Sequence, residues 1–335
     1  MVVVTAPVIV AVVPEGLMRE FFGDEDREML ERAAGMLGGG FLHVDALADV
    51  PDLSAVKVMI TSWGARPFDV ATLTALPALE LVAHTGASIR PFATDALYDR
   101  GVLVTQAGAG MARSVAEVSL TFTLALLHRV PQMHDALRRG TGWWEPTLVQ
   151  HEIFGARIAV IGASRTGRAY LELVRALGAD PMLVDPTLSA DEAAVLGVPL
   201  RPLDDALAAA SIVAVHAPTL PETHRLIGAR ELALMPDGAG LVNTARSWLV
   251  DEPALLAELA TGRLSAAIDV FDEEPLSDDS PFRSVPGVLL TPHRAAGTEE
   301  GRRRQGRIVT TEIGAFAAGD PLQHAISREQ LAVMG

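Results

Sequence analysis

Short apolar runs alternate along the chain with stretches in which apolar residues recur every three or four positions. The runs 8–13, 56–60, 79–83 and 102–105 have the length and β-branching of strands, without the every-second-residue alternation of a sheet wetted on one face. Between them the spacing predicts a helical region broken near Gly23, with Phe21, Met29 and Leu30 as apolar anchors, and a short helix over 70–76. Gly38-Gly39-Gly40 reads as a break. A second series of runs follows at 158–161, 182–184, 211–215, 241–243, 267–271 and 288–290. Six strands are the number of a complete dinucleotide-binding domain. Strands buried on both faces and alternating with helices predict an α/β class of parallel, doubly wound sheets.

The connecting pieces add helices. A long apolar one is expected over 114–128, short of a membrane span and containing Glu117, and a second piece follows Pro131 to Gly140. Thr141-Gly142-Trp143-Trp144 is an irregular connection. Asp204 starts a short helix, and Asp251 caps one that closes before Gly262. The last helix, 298–318, carries Ile308, Ile313 and Phe316, and because one helix cannot form a domain it is expected to pack on the first series.

The most informative turn joins the strand 158–161 to a helix bearing Leu171, Val174 and Leu177. Its residues are Gly162-Ala163-Ser164-Arg165-Thr166-Gly167, and the following strand ends on Asp185. This is the plan of a βαβ unit whose helix N-terminus receives a pyrophosphate while an acid about twenty residues on takes ribose hydroxyls. Ser164 stands where a full glycine fingerprint has its second glycine, and its hydroxyl could itself donate to a phosphate. A competing chemistry starts at the same turn, since Ser164, Asp269 and His293 follow the chain order of an α/β-hydrolase triad. That alternative lacks the glycine two residues after the nucleophile, where Thr166 stands, and leaves Asp185 without a role. A further candidate is His84-Thr85-Gly86-Ala87-Ser88, a loop of small residues whose amides could meet an anion.

Composition narrows the classes. The 335 residues suffice for two domains, and 49% apolar with 21% charged residues is a globular balance. A net charge of -15 argues against a nucleic-acid surface, and the run Arg302-Arg303-Arg304 reads as a solvated helix face. Lys57 is the only lysine, and the absence of cysteine removes disulfide and thiolate chemistry. No basic segment precedes the apolar stretch 2–13, so no signal peptide or membrane anchoring is expected and the cytoplasm is the default.

Taken together, the motifs are similar to those of the D-2-hydroxyacid dehydrogenase family, NAD-dependent enzymes related to phosphoglycerate dehydrogenase. The resemblance runs from about residue 56 to 301. It rests on VAEVSLTFTLAL at 115–126, IGASRTGR at 161–168, HAPTLPETHRLIG at 216–228, NTARSWLVDEPAL at 243–255, AAIDVFDEEPL at 266–276 and LLTPHRAAGTEE at 289–300. It implies an NAD-binding Rossmann domain, 113–299, inserted into a flavodoxin-like substrate-binding domain made of 1–112 and 300–335. The family's catalytic arginine, glutamate and histidine fall on Arg246, Glu274 and His293. By the same resemblance Gly162, Ser164, Arg165, Thr166, Gly167 and Asp185 hold the cofactor, with His216, Ala217, Pro218 and Thr223 on the adenosine side. Thr244, Ala245, Asp269, His293 and Ala295 complete the cofactor set, with Asp269 near the carboxamide. Ala87 and Ser88 would grip a substrate carboxylate together with Arg246.

These residue types suit hydride transfer between a 2-hydroxy acid and a 2-keto acid. A histidine can supply and retrieve the alkoxide proton, a carboxylate on its other nitrogen orients the ring, and a fixed guanidinium holds developing negative charge. Asp185 favours NAD over NADP, because its charge would repel a 2′-phosphate. Singly, each residue has a plainer role: a surface histidine, a solvated glutamate, or Arg246 paired only with Asp251. Trp248 takes a position usually small in the family, and Arg294 one usually apolar; Arg90 or Arg294 is a candidate for a second anionic group on the substrate. Formate is not expected, since formate dehydrogenases carry glutamine at the position of Glu274. The helix 114–127 with Trp143 and Trp144 resembles the family's dimer arm, so a homodimer is expected. A catalytically silent NAD sensor of the same fold is the remaining alternative, and no metal is expected.

Overall fold

The computed structural model describes residues 6–141, 143 and 149–333. Gly142 and Trp144 lie outside the described residues. The chain forms two compact units: one runs to Met111 and resumes at Gly297, and the other is Ala112–Ala296.

The first unit begins with β1 (Pro7–Val12), α1 (Glu15–Phe21), α2 (Asp24–Met36), β2 (Gly40–Val44) and β3 (Val58–Thr61). It continues through α3 (Val70–Ala75), β4 (Leu81–His84), α4 (Asp95–Asp99) and β5 (Leu103–Gln106). All neighbours are parallel in the order β2-β1-β3-β4-β5. β2 was not expected from the sequence. As an edge strand with one partner it is half-buried throughout, so its residues lack the fully apolar pattern of β1, β3 and β4.

The second unit holds α5 (Ala112–Leu127), α6 (Val130–Arg138), β6 (Arg157–Ile161), α7 (Arg165–Ala176), β7 (Asp180–Val184) and α8 (Ala190–Val195). α9 (Leu203–Ala209), β8 (Ile212–Val215), α10 (Ala229–Leu234), β9 (Gly240–Asn243), α11 (Glu252–Ala260), β10 (Ser265–Ile268) and β11 (Val288–Leu290) follow. The order is β11-β10-β9-β8-β6-β7, all parallel. A parallel bridge between Leu183 and Leu200 marks a rudimentary strand beside β7. The direction of winding reverses between β6 and β8, the place where open α/β sheets receive ligands. The strand expected over 267–271 ends earlier, at Ile268, so Asp269 lies just beyond β10.

The apolar helix α5 itself has 16 residues, short of a span as the sequence leads us to expect. With the 3-10 turn before it, Gly108–Leu127 has the length and composition of a span, at mean hydropathy 1.2. Half of it is buried, and α5 packs on α7 and β9 as a core helix does. Finally α12 (Glu299–Ala318) and α13 (Arg328–Val333) rejoin the first unit, where Val309 and Ile313 pack into a core with Phe21, Leu30 and Ile60.

Candidate active site

The turn after β6 is built by backbone-to-backbone contact. Gly162 has φ +99°, and a Cβ there would lie 2.6 Å from the backbone N and Cα of Ala217. A Cβ on Gly167 would lie 2.1 Å from the Gly162 carbonyl oxygen. Only glycine permits the first turn of α7 to close on the loop after β8 in this way. Ser164 caps α7, its Oγ accepting from the Gly167 amide at 3.2 Å, which leaves the hydroxyl hydrogen for another acceptor. Arg165 is exposed on the first helical turn and Thr166 is half-buried.

Asp185 follows β7 and reaches back to the turn. Its carboxylate accepts from the Ala163 amide at 2.7 Å and from the Thr187 amide and hydroxyl at 2.9 and 2.6 Å. Burial works against its charge, but these hydrogen bonds and the Arg168 guanidinium outweigh burial and hold the carboxyl below its ordinary value. Arg168 itself donates from Nε to the Ala163 carbonyl at 2.9 Å. After β8, Thr223 fastens the loop by donating to the Pro218 carbonyl at 2.7 Å. His216 is buried against Tyr170, and burial pushes it down to about 3.

Three further strand ends carry the acid-base groups. After β9, Asn243 shapes the turn by accepting from the Ala245 amide at 3.1 Å and donating to the Arg246 carbonyl at 2.9 Å. Thr244 is buried and shares a 2.7 Å hydrogen bond with Ser119 of α5. Arg246 is half-buried, and burial lowers its pKa against the opposing charge of Glu274. Asp251 takes its ion pair with Arg225 at 3.2 Å, so the pairing of Arg246 with Asp251 does not form. Beyond β10, Glu274 accepts from the Phe271 amide at 3.0 Å with Oε1 and meets His293 Nδ1 at 2.7 Å with Oε2. His293 is held at φ +51°, an uncommon conformation for a non-glycine residue, with its ring partly open to solvent.

Asp269 explains how that backbone is held. It is buried, and its carboxylate accepts from the Thr291 hydroxyl and from the Arg294 and Ala295 amides, the last two at 2.9 Å. The three donors flank His293 on both sides. Asp269 therefore binds the histidine loop rather than the histidine, and with Ser164 capping a helix the order Ser164, Asp269, His293 forms no triad.

In the first unit, the loop after β4 places Ala87 and Ser88 half-buried, and among the described residues their amides donate to no group. His84 closes β4, buried, sharing a 3.0 Å hydrogen bond with Thr61, and burial pushes it down to about 4. Arg90 donates to the Ala332 carbonyl at 3.0 Å, which engages one candidate for a second anionic group; Arg294, the other, is exposed.

Two contributors, Glu252 and Trp63, escape the sequence reading, and Trp248 enters it only as a departure from a position usually small in the family. Glu252 accepts from the Asp272 amide at 2.7 Å, steadying the Glu274 loop, and burial raises its pKa. Trp248 donates from its indole to the Leu220 carbonyl at 2.9 Å and packs on His224, tying the Arg246 turn to the loop after β8. Trp63 stands at the end of β3. An aromatic residue just past a strand end is the available signal for Trp63.

A family model for the NAD binding domain of D-isomer specific 2-hydroxyacid dehydrogenases matches residues 120–295. The D-3-phosphoglycerate dehydrogenase of Mycobacterium tuberculosis is 37% identical over 282 residues, 84% of this chain and 52% of that protein. The chain thus spans about half the length of such relatives. A glyoxylate reductase of Aeropyrum pernix is 31% identical over 272 residues, covering 79% of this chain and 81% of the relative. Among solved structures, a 2-hydroxyacid dehydrogenase of Ketogulonicigenium vulgare superposes with TM-score 0.78 at 25% identity, covering 96% of this chain and 99% of its own. The NAD-complexed D-isomer specific 2-hydroxyacid dehydrogenase of Lactobacillus delbrueckii ssp. bulgaricus shares the fold at TM-score 0.79 and 21% identity, covering 95% and 99%.

Proposed function

The chain belongs to the D-isomer-specific 2-hydroxyacid dehydrogenase family, and we propose that it interconverts a D-2-hydroxy acid and a 2-keto acid with NAD. The observation that carries this reading is the 2.7 Å contact between His293 Nδ1 and Glu274 beside the half-buried Arg246. The glycine cradle at Gly162 and Gly167 and the charged Asp185 fit a dinucleotide. Bound NAD supplies or accepts the hydride. With Nδ1 engaged by Glu274, His293 gives its proton from Nε2 to the alkoxide oxygen and retrieves it in the reverse direction. Glu274 orients the ring through its contact with Nδ1. Arg246 holds the substrate carboxylate or carbonyl and offsets developing negative charge, and the free amides of Ala87 and Ser88 take the carboxylate. Asp269 keeps the His293 loop in place.

We also propose that the protein works in the cytoplasm as a homodimer. Val130, Leu137, Trp143, Val149 and Phe154 are exposed large apolar side chains around the α6 region, a surface suited to a second copy. The test of function is NADH oxidation with a panel of 2-keto acids, followed by chiral chromatography of the product. Saturable turnover giving the D-hydroxy acid is expected. Tight NADH binding with no turnover across the panel would favour the silent sensor instead.

A further inference from the structure

Ser62-Trp63-Gly64 leads out of β3, one strand over from the loop after β4. Trp63 stacks on Phe21 with ring centroids 5.6 Å apart, yet 45% of its surface stays exposed. Its ring also borders the neighbouring loop, because a Cβ on Gly86 would lie 3.6 Å from its Cε2. Gly86 directly precedes Ala87 and Ser88, whose amides are free. A large, half-open apolar ring thus stands beside the loop that takes the carboxylate.

Two arginines near that loop, Arg302 and Arg90, are already engaged. The Arg302 guanidinium lies 4.3 Å from the centre of the Trp63 ring and 5.1 Å from that of Phe21, and its Nε is 3.4 Å from Glu20. Arg90 donates to the Ala332 carbonyl. His84, pushed down to about 4 by burial, is neutral at pH 7. A second carboxylate or a phosphate placed against Trp63 would have to compete with Glu20 for the Arg302 guanidinium, which disfavours it, whereas an apolar group gains by leaving water.

We propose that the site selects 2-keto acids with an apolar or aromatic side chain, which packs on Trp63, rather than the phosphorylated type of acid after which the phosphoglycerate dehydrogenase relatives are named. The inference rests on the dehydrogenase reading above. It gives a positioned amide pair for the carboxylate and an indole for the side chain, so selectivity comes from contact area and from the pairing of Arg302 with Glu20 together.

The test compares phenylpyruvate, 4-methyl-2-oxovalerate, oxaloacetate and 3-phosphohydroxypyruvate with NADH in the full chain. We expect kcat/KM for the two apolar substrates to exceed that for the two dianionic ones by about tenfold or more. Trp63→Ala should shrink that ratio about tenfold, chiefly through KM for phenylpyruvate, and Trp63→Phe should largely keep it. Trp63→Arg should move preference toward oxaloacetate. A wild-type preference for either dianionic substrate, or a ratio unmoved in both Trp63→Ala and Trp63→Arg, overturns the inference and leaves the dehydrogenase reading standing. If no substrate turns over, the dehydrogenase reading falls, and calorimetric binding to the NADH complex decides the inference. Phenylpyruvate bound more tightly than 3-phosphohydroxypyruvate, with the difference lost in Trp63→Ala, supports it; equal binding overturns it.

Discussion

In the second unit the strand ends carry charged groups that are held by their own neighbours. Glu274 is fixed by the Phe271 amide, the His293 loop by Asp269, and the Arg246 turn by Asn243. In the first unit the ends of β3 and β4 carry an open indole, a buried neutral histidine and two free amides. Under the proposed function, the strand ends of the second unit move a proton and steady charge, and those of the first hold an acid by its backbone and its side chain by contact. The difference separates chemistry from selection, so changes at the two edges should fail in different ways.

The sharpest contrast should come from Arg246. Under the proposed function, Arg246→Ala removes a guanidinium from where negative charge develops, and kcat/KM is expected to fall by about 10²–10³, across all substrates alike. Steady-state kinetics on the keto-acid panel checks this. A loss confined to one substrate class would move Arg246 from chemistry to selection.

A smaller effect distinguishes the units through acid. Burial lowers His84 to about 4 and His216 to about 3, while the unfolded chain takes up those protons near 6.5. At pH 7 both histidines are neutral in the folded state and mostly neutral in the unfolded one, so little stability is lost there. As pH falls below about 6.5 the unfolded state binds protons that the folded state refuses, and stability drops until the folded values are reached. For His84 alone the loss is about 2 kcal/mol by pH 5. Melting curves of wild type and His84→Gln between pH 7 and pH 5 should show a gentler acid decline in the variant. Parallel declines would place the sensitivity in the second unit.

The smallest expected change is at Trp248. Trp248→Phe keeps a ring against His224 but removes the indole donor to Leu220, costing about 1 kcal/mol in urea unfolding. A variant as stable as wild type would show that the two loops hold without it.

How much of this was legible in sequence differs between the same two edges. The strands of the second unit announced themselves as buried apolar runs, and Arg246, Glu274 and His293 were marked by the family resemblance of the motifs that carry them, since singly each reads as a surface or solvated group. Their supports were hidden. Asp269 stood out as a charge, but nothing local shows that it binds the His293 loop; Glu252 reads as one more acid at a helix start. The short helices α8 and α10 carry too few turns for a periodic signal, and the bridge at Leu200 replaces a full strand. In the first unit β2 lies behind a glycine break, and Trp63 carries only the weak signal of an aromatic residue just past a strand end. Arg90 read as a free cation although its guanidinium is spent on a carbonyl far along the chain.

The proton-transferring role of His293 is the centre of the account, and one measurement tests it most directly: the kcat/KM of His293→Ala for the best keto acid, with NADH binding followed by fluorescence in the same preparation. The account predicts a fall of about 10²–10⁴ with NADH still bound. Turnover within a few fold of wild type would contradict it.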